Sequence, residues 1–281
     1  MVLFLKVGAA TSLVLILDIL TGAELIKTSI LGYDAISGSR FYGIGNEYMG
    51  ILIGSAALFV ASVYQLELNK KSLISVLSLG FFVFIIYLFL SPRWGANFGG
   101  SLTALAAFTV TFLGLEEGKL NKKSITRAAG IMALFMLSLV ALNYRVEGAM
   151  VSHVGNALNL IMSGGMEEIF NMVSRKGAMN IMLLRYSLWS RILLVFLGLL
   201  IILLYQPPGL LKKITKKYNK LFKGFAGIIS GSVVAILVND SGVVAGAATL
   251  MFAGIPLILL VMHHTFKDDL TLKIKTAKKS S

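Results

Sequence analysis

Long apolar stretches recur along this chain, separated by shorter polar connections. A helix needs roughly 20 apolar residues to cross the hydrocarbon core of a bilayer. Lipid offers the backbone no hydrogen-bond partners and the stretches are continuous rather than alternating, so they predict helices and exclude a barrel. We expect an all-α polytopic transmembrane helical bundle of about eight spans. Residues 1–281 would form a single integral membrane domain, with spans near 2–22, 48–65, 73–91, 100–115, 128–143, 188–205, 224–239 and 243–263.

The connections between these spans differ in basic charge. Those at 66–72, 116–127 and 206–223, together with the tail from 264, hold 17 Lys and Arg residues, whereas the intervening connections and Arg191 hold 8. Positively charged connections remain in the cytoplasm, so the larger set marks the inner side of the membrane. The pattern therefore predicts a multi-pass protein of the cell membrane with both termini cytoplasmic.

Two connections predict helices that lie on the membrane surface instead of crossing it. Residues 206–223 carry six lysines among apolar side chains, which is typical of a basic amphipathic helix on the anionic inner leaflet. On the outer side, 156–186 is too polar to span, and its apolar residues recur at helical spacing at Met166, Ile169, Phe170 and Val173. This outer interfacial amphipathic helix either caps a cavity or simply anchors the chain at the interface.

Composition adds mainly exclusions. Hydrophobic residues make up 57% of the chain and the mean hydropathy is +0.84, which excludes an ordinary soluble domain. The net charge of +13 is explained by membrane orientation, so we expect membrane lipids and no nucleic acid as partners. The absence of cysteine excludes thiolate ligands, and the adjacent His263 and His264 do not share a helix face. No metal site is predicted, and the cofactor, if any, is unknown.

Glycine spacing predicts how the helices pack. Two glycines four residues apart let helix backbones approach closely in lipid. Four such pairs are present, at Gly50 and Gly54, Gly95 and Gly99, Gly227 and Gly231, and Gly242 and Gly246. These pairs indicate a compact bundle and do not indicate any particular function.

Short polar motifs gather at the predicted outer face. They read S-G-S-R-F-Y-G-I-G-N-E at 37–47, S-P-R-W-G-A-N-F-G-G at 91–100, S-H-V-G-N at 152–156 with R-K-G-A-M-N at 175–180, and V-N-D-S-G at 238–242. Three of these motifs begin an apolar span, and the free N–H groups of a helix N-terminus form an anion site. Asn, Asp and Ser at such positions also act as plain helix caps.

Two arginines, Arg40 and Arg93, precede two of these N-termini. A cation is disfavoured there unless an anion lies between it and the helix. The alternative is that each arginine snorkels to lipid headgroups. The hypothesis that follows is a substrate site for an anionic group, with the candidate binding residues Arg40, Asn46, Arg93, Asn97 and Ser241.

The acids at the same face, Glu47 and Asp240, need partners. They either pair with the arginines as a structural network, hold a coupling cation with the asparagines, or carry protons. Secondary candidates are Asp18, Asp34, His153 and Arg175. Enzyme signatures are sparse, with no G-x-S-x-G, H-E-x-x-H or P-loop motif. A catalytic triad of Ser241, His153 and Asp240 rests on residue type alone.

The stretch T-G-A-E-L-I-K-T-S-I-L-G-Y-D-A-I-S-G-S-R-F-Y-G-I-G-N-E at 21–47, with the later G-A-N-F-G-G and V-N-D-S-G, resembles an uncharacterised family of multi-span membrane proteins of Gram-positive bacteria. The resemblance covers most of the chain, and R-F-Y-G-I-G-N-E is its most specific piece. Some relatives are longer at the N-terminus, so the resemblance implies either a shorter form or the membrane module of a longer protein. It implies no particular activity.

Three functions are compatible with these features. The leading hypothesis is a transporter or flippase-like protein of the cell envelope, with an outward-facing polar site for an anionic, phosphate-bearing or lipid-linked substrate. The second is a membrane-embedded enzyme of envelope lipid or polymer metabolism, with the acids or His153 in acid–base roles. The third is a non-catalytic structural module that serves a partner domain or protein. A transporter requires polar residues that continue inward, for which the candidates are Asp18, Asn143, Ser55, Ser230 and Ser232.

Overall fold

Helices dominate the computed structural model, which describes residues 1–29, 33–34, 38–39, 43–66, 71–117, 122–145, 153–205 and 209–277. In chain order they are α1 (Val2–Leu20), α2 (Glu24–Thr28), α3 (Asn46–Gln65), α4 (Lys71–Leu90), α5 (Phe98–Glu117), α6 (Lys122–Arg145), α7 (His153–Tyr186), α8 (Leu188–Tyr205), α9 (Gly209–Lys217), α10 (Asn219–Val238) and α11 (Gly242–Ala277). Between α2 and α3, β1 (Tyr33–Asp34) pairs with β2 (Gly38–Ser39) in antiparallel orientation. The predicted all-α class is confirmed.

The helices are long and apolar enough for a multi-pass membrane protein. Within the described residues, six are long and apolar enough to cross a membrane, namely α1, α3, α4, α5, α10 and the Gly242–Phe266 part of α11. A seventh arises if Val173–Tyr186 and Leu188–Leu199, which meet at an angle of 86°, form one broken span. In α6 the described apolar stretch, Ile125–Phe135, is shorter. The count of eight spans and the cytoplasmic termini remain predictions.

Four helices form the centre of the bundle: α3, α5, α10 and α11. Helices α3 and α11 run in parallel, because Gly50 lies against Ala245 and Gly54 against Phe252. Helix α10 runs antiparallel to both α3 and α5. We call the end at which α3, α5 and α11 begin the upper end, and the opposite end the lower end. Helix α1 is antiparallel to α3, with the Ser12 and Ser55 hydroxyls 2.9 Å apart, so α1 begins at the lower end.

Glycine makes this packing possible. A β-carbon on Gly50 would lie 2.5 Å from the Ala245 carbonyl oxygen, and one on Gly227 would lie 2.5 Å from the carbonyl oxygen of Ala107. Such distances are too short for any side chain, so the helix backbones meet directly. Three of the four predicted glycine pairs lie at helix crossings. The fourth pair differs, since Gly95 packs on the end of α4 and Gly99 on the side chain of Asn239.

The predicted basic helix over 206–223 is wrong in its extent. Helix α9 ends at Lys217, and α10 begins at Asn219, so Lys220 and Lys223 belong to a crossing helix. The apolar residues of α9 face the protein, with Leu211 and Ile214 buried in the core. Its lysines therefore project from a helix that is docked on the bundle and not simply embedded in lipid.

Helix α7 covers the predicted outer amphipathic segment. Phe170 and Val173, both assigned to its apolar face, are 72% and 63% exposed. Exposed apolar residues on a polar helix fit a position at the membrane surface. That position remains a prediction.

Candidate functional site

The first two polar motifs bind each other at the upper end. The Ile44 backbone N–H donates to the Gly95 carbonyl at 2.8 Å, and the Asn97 side-chain amide donates to the Ile44 carbonyl at 3.1 Å. Gly43 has φ +69, and a β-carbon there would overlap the Gly95 carbonyl oxygen. Glycine is thus required at 43 for both its conformation and its space.

Asn97 caps α5. Its side-chain oxygen accepts the Gly100 backbone N–H at 2.7 Å, and the side chain is buried in the bundle. Its amide nitrogen also lies 3.5 Å from the side-chain oxygen of Asn46. The capping interpretation is therefore correct for Asn97, yet the same side chain also connects two helix N-termini.

Asn46 extends this connection to α11. Its side-chain amide donates a hydrogen bond to the Ser241 hydroxyl, which precedes the first residue of α11. A chain of side chains, Asn97 to Asn46 to Ser241, thus links the beginnings of α5, α3 and α11. Helix α3 differs in that its N-cap residue is Gly45, which has no side chain to cap the helix.

Asn239 joins the same region and was missed in the sequence. It is 4% exposed, and its amide donates to the Thr103 hydroxyl at 3.2 Å and to the Ala235 carbonyl at 3.1 Å. A β-carbon on Gly99 would overlap its side-chain oxygen. The sequence signal for Asn239 was its place in the V-N-D-S-G motif, directly before Asp240.

Helix α7 adds two polar side chains to this region, Lys176 and Asn180. The Lys176 ammonium donates to the Val238 carbonyl at 2.6 Å and lies 3.3 Å from an Asp240 carboxylate oxygen. Asn180 accepts the Val243 N–H at 3.0 Å and donates to the Ile236 carbonyl at 3.3 Å. These two side chains thus cap the end of α10 and the start of α11 together. Their spacing of four residues, which places them on one helix face, was a signal in the sequence.

We call these side chains, Asn46, Asn97, Lys176, Asn180, Asn239 and Ser241, the polar cluster. Of the predicted binding residues, the structure brings Asn46, Asn97 and Ser241 together in it. Arg93 is exposed beside it, and no ion pair of Arg93 is present within the described part of the chain. Arg40 lies outside the described residues, as do the side chains of Asp34 and His153.

The acidic candidates have separate environments. Asp240 is 64% exposed, and its ion-pair partner among the described residues is Lys176, not Arg93. Glu47 is half-buried in the first turn of α3. Arg175 is exposed, and its neighbour Lys176 makes the contacts with the cluster.

Asp18 has a structural role away from the cluster. Its carboxylate is buried and accepts the backbone N–H groups of Leu25 at 2.8 Å and Ile26 at 3.1 Å. A carboxylate that binds two amides at a helix N-terminus is a cap. The inclusion of Asp18 among the coupling candidates is therefore not supported by its contacts.

Below the cluster, buried hydroxyls are of two kinds. Some bond to a neighbouring helix: Ser12 to Ser55, and Ser232 to the Gly246 carbonyl at 2.9 Å. Two others, Thr111 on α5 and Ser62 on α3, are fully buried and have no hydrogen-bond partner among the residues that the structure describes. Thr111 lies two turns below Thr103 on the same seam between α5 and α10.

The arrangement offers amide, hydroxyl and cationic donors, and no cation cage. Within the described residues there is no group of three His, Asp or Glu side chains able to hold a metal ion. No family model, curated protein or solved structure matches this chain. The functional argument therefore rests on the cluster itself.

Proposed function

We propose that this protein is a transporter or flippase-like protein of a bacterial cell membrane that receives an anionic, phosphate-bearing or lipid-linked group at the polar cluster. One observation carries the proposal. Helices α3, α5 and α11 begin side by side, linked through Asn97, Asn46 and Ser241, with the exposed Arg93 beside them. Each helix N-terminus adds a partial positive charge, so three together favour an anion.

The position of Arg93 supports an anionic ligand. Arg93 stands two residues before Gly95, whose carbonyl binds the segment leading into the start of α3. A guanidinium binds phosphate with two parallel hydrogen bonds, and no carboxylate competes for it among the described residues. Arg40 belongs to the same segment by sequence and would be its second cationic contact.

Polar groups below the cluster support transport. Thr103 binds Asn239 at the cluster, and Thr111 and Ser62 provide unbonded hydroxyls deeper in the bundle. Buried polar groups without partners are costly, and in transporters they mark substrate or ion paths. In this proposal the two acids at the upper end, Glu47 and Asp240, couple an ion or proton.

A membrane-embedded enzyme is the second candidate, favoured by a different observation. Ser12, Ser55 and Ser232 are each hydrogen-bonded to a neighbouring helix, and glycine contacts close the centre of the bundle. These features fit a site that opens only at the upper end. An enzyme needs no path through the membrane, and its acid–base residues would be Glu47 or His153.

Ligand binding can be tested by thermal unfolding in a neutral detergent. We expect phosphatidic acid to stabilise the protein more than diacylglycerol with the same acyl chains, by about 2.7 kcal/mol at 100 times its dissociation constant. Arg93→Gln should reduce that difference without lowering the stability of the protein alone. Arg185→Gln is the matched control, because Arg185 is exposed at the end of α7 and outside the cluster. Equal responses of the two variants would contradict the anion site.

Transport and catalysis are then separated in proteoliposomes. A transporter should move a headgroup-labelled phospholipid between leaflets, read by its accessibility to an impermeant quencher, while mass spectrometry finds the lipid intact. An enzyme should change the lipid's mass without moving it. If the lipid neither moves nor changes, the remaining reading is a structural module for a partner.

A further inference from the structure

An apolar groove lies on the lipid-facing side of the lower half of the bundle. It has a volume of about 250 Å³ and only apolar lining residues. Helices α1 and α11 each pack on α3, and the groove runs between them with Leu58 of α3 at its floor. The walls are formed by Leu3 and Val7 of α1 and by Ile255 and Leu259 of α11.

The shape of the groove follows from the two helices that border it. Pro256 stands inside α11, where it has no N–H to bond the Phe252 carbonyl and its ring crowds that turn. Leu3 and Val7 lie one turn apart on α1 and are 59% and 44% exposed. In lipid these side chains meet acyl chains and not water, so the groove is filled by hydrocarbon.

Two exposed polar side chains lie near the groove, one on each of the helices that border it. Lys6 is exposed on α1 and directly precedes the lining residue Val7. His263 is exposed on α11, one turn below the lining residue Leu259. A lysine so placed can extend its ammonium to headgroup level while its methylene chain stays among apolar groups.

The lower end is also the basic end of the molecule. Helix α9 presents exposed lysines there, at Lys212, Lys213, Lys216 and Lys217, and it packs on α11. The 15 residues from 209 to 223 contain no acid. Lipids with anionic headgroups are therefore concentrated at this end by electrostatic attraction.

We infer that this groove is a binding site for one anionic phospholipid, whose acyl chain lies between α1 and α11 and whose phosphate is bound by Lys6. The apolar walls select a hydrocarbon chain, and the lysine selects the charge of the headgroup. The site is separate from the polar cluster, since the two occupy opposite ends of α11. Failure of one proposal leaves the other standing.

The test is native mass spectrometry of the full chain after extensive washing in detergent, followed by titration with phosphatidylglycerol or phosphatidylcholine of matched acyl chains. We expect one phosphatidylglycerol to be retained per chain. Val7→Trp and Ile255→Trp fill the groove from opposite walls, and each should lose the retained lipid. Leu237→Trp, at a residue of α10 that is 71% exposed and outside the groove, should retain it.

A charge variant tests the headgroup contact. Lys6→Gln should bind both phospholipids equally, whereas Lys123→Gln, an exposed lysine at the start of α6, should keep the preference for phosphatidylglycerol. Size-exclusion elution and melting temperature verify that each variant is folded. The proposal is overturned if the washed protein holds no phospholipid, if both tryptophan variants retain it, or if Lys6→Gln keeps the full preference. Conversion of a dimer into a monomer by both tryptophan variants would show that a second copy of the chain occupies the groove instead.

Discussion

The side-chain amide of Asn46 donates a hydrogen bond to the hydroxyl of Ser241, 195 residues later in the chain. Since Asn46 also lies within hydrogen-bond distance of Asn97, one side chain holds the beginnings of three core helices together. The same residue is the first of α3, where the proposed anion would bind. A negative charge at position 46 should therefore be compatible with the fold but should weaken binding of the proposed anion.

Asn46→Asp tests both expectations. A carboxylate at the first residue of a helix interacts favourably with the helix dipole, so we expect the free energy of unfolding to stay within about 1 kcal/mol of wild type. The added charge should repel an anionic ligand and remove the stabilisation by phosphatidic acid. Asn219→Asp makes the same change at the first residue of α10, at the lower end, and should leave that stabilisation intact. Unchanged ligand response in Asn46→Asp would argue against an anion at this position.

Lys176 and Asp240 form an ion pair, and we expect the two side chains to contribute unequally to stability. The Lys176 ammonium also binds the Val238 carbonyl at 2.6 Å, whereas Asp240 is largely exposed. We expect Lys176→Met to destabilise by about 1 to 2 kcal/mol, and Asp240→Asn by less than about 1 kcal/mol. Arg175→Met, at the exposed neighbouring residue, serves as the control and should have almost no effect. Chemical unfolding in mixed micelles measures all three, and a larger loss for Asp240→Asn would refute this assignment.

Asp18 should matter for stability and not for transport. Asp18→Ala leaves the Leu25 and Ile26 N–H groups without their acceptor, at a cost of about 1 to 3 kcal/mol. Asp18→Asn keeps one acceptor oxygen and should cost less. Glu24→Ala, which removes only a surface pair with Lys27, is the control. A variant of Asp18 with normal stability and no transport would restore it as a coupling residue.

Close packing between α5 and α10 predicts a strong dependence on side-chain volume. Gly227→Ala introduces a β-carbon that overlaps the Thr111 hydroxyl, so we expect a loss of about 1 to 3 kcal/mol. Gly80→Ala is the matched control, because Gly80 is exposed on α4 with nothing within 4 Å of its added β-carbon. It should be neutral, or stabilise by up to about 1 kcal/mol through helix propensity. Similar unfolding curves for the two variants would mean that the helices do not meet as described.

Orientation in the membrane is tested by chemical labelling, for which the natural absence of cysteine provides a clean background. Ser72 and Ser174 are both exposed, at the start of α4 and on α7. The distribution of basic residues predicts that Ser72→Cys resists an impermeant thiol reagent in intact cells and that Ser174→Cys reacts. Labelling of both after permeabilisation is the positive control. The opposite pattern would invert the topology.

Sequence reasoning predicted the helices well because an apolar run in lipid leaves the backbone few alternatives. Each of the eight predicted spans overlaps a helix and five lie wholly within one, and the starts of α3 and α11 lie within two residues of the predicted ones. The break between α9 and α10 was missed, since Tyr218 carries no breaking signal and both flanks are basic and amphipathic. What ends α9 there is the docking of Leu211 and Ile214 on the bundle, a tertiary effect.

The candidate site was predicted in part. Asn46, Asn97 and Ser241 were identified because polar residues at the start of an apolar run are conspicuous. Arg175 was predicted, whereas Lys176 and Asn180 were not. The partners of Lys176 and Asn180 on α10 and α11 are about 60 residues away in the sequence, and only the fold brings these partners near. The partner of Asp240 could not be predicted either. Several basic residues are predicted at the same face, and only the fold determines which of them lies close enough to form an ion pair.

Helix α10 lies between two helices, α3 and α5, that the ribosome completes more than a hundred residues earlier. Until α10 leaves the translocon, the surfaces of α3 and α5 on which its glycines will pack are uncovered. Asn46 and Asn97 then have no partner from α10 or α11. The nascent chain must therefore hold a half-built bundle in the bilayer with polar side chains uncovered, which is the condition in which membrane chaperones act. The hairpin of α10 and α11 therefore completes the core of four helices, and shortening the chain before Gly242 would leave an assembly intermediate rather than a smaller functional protein.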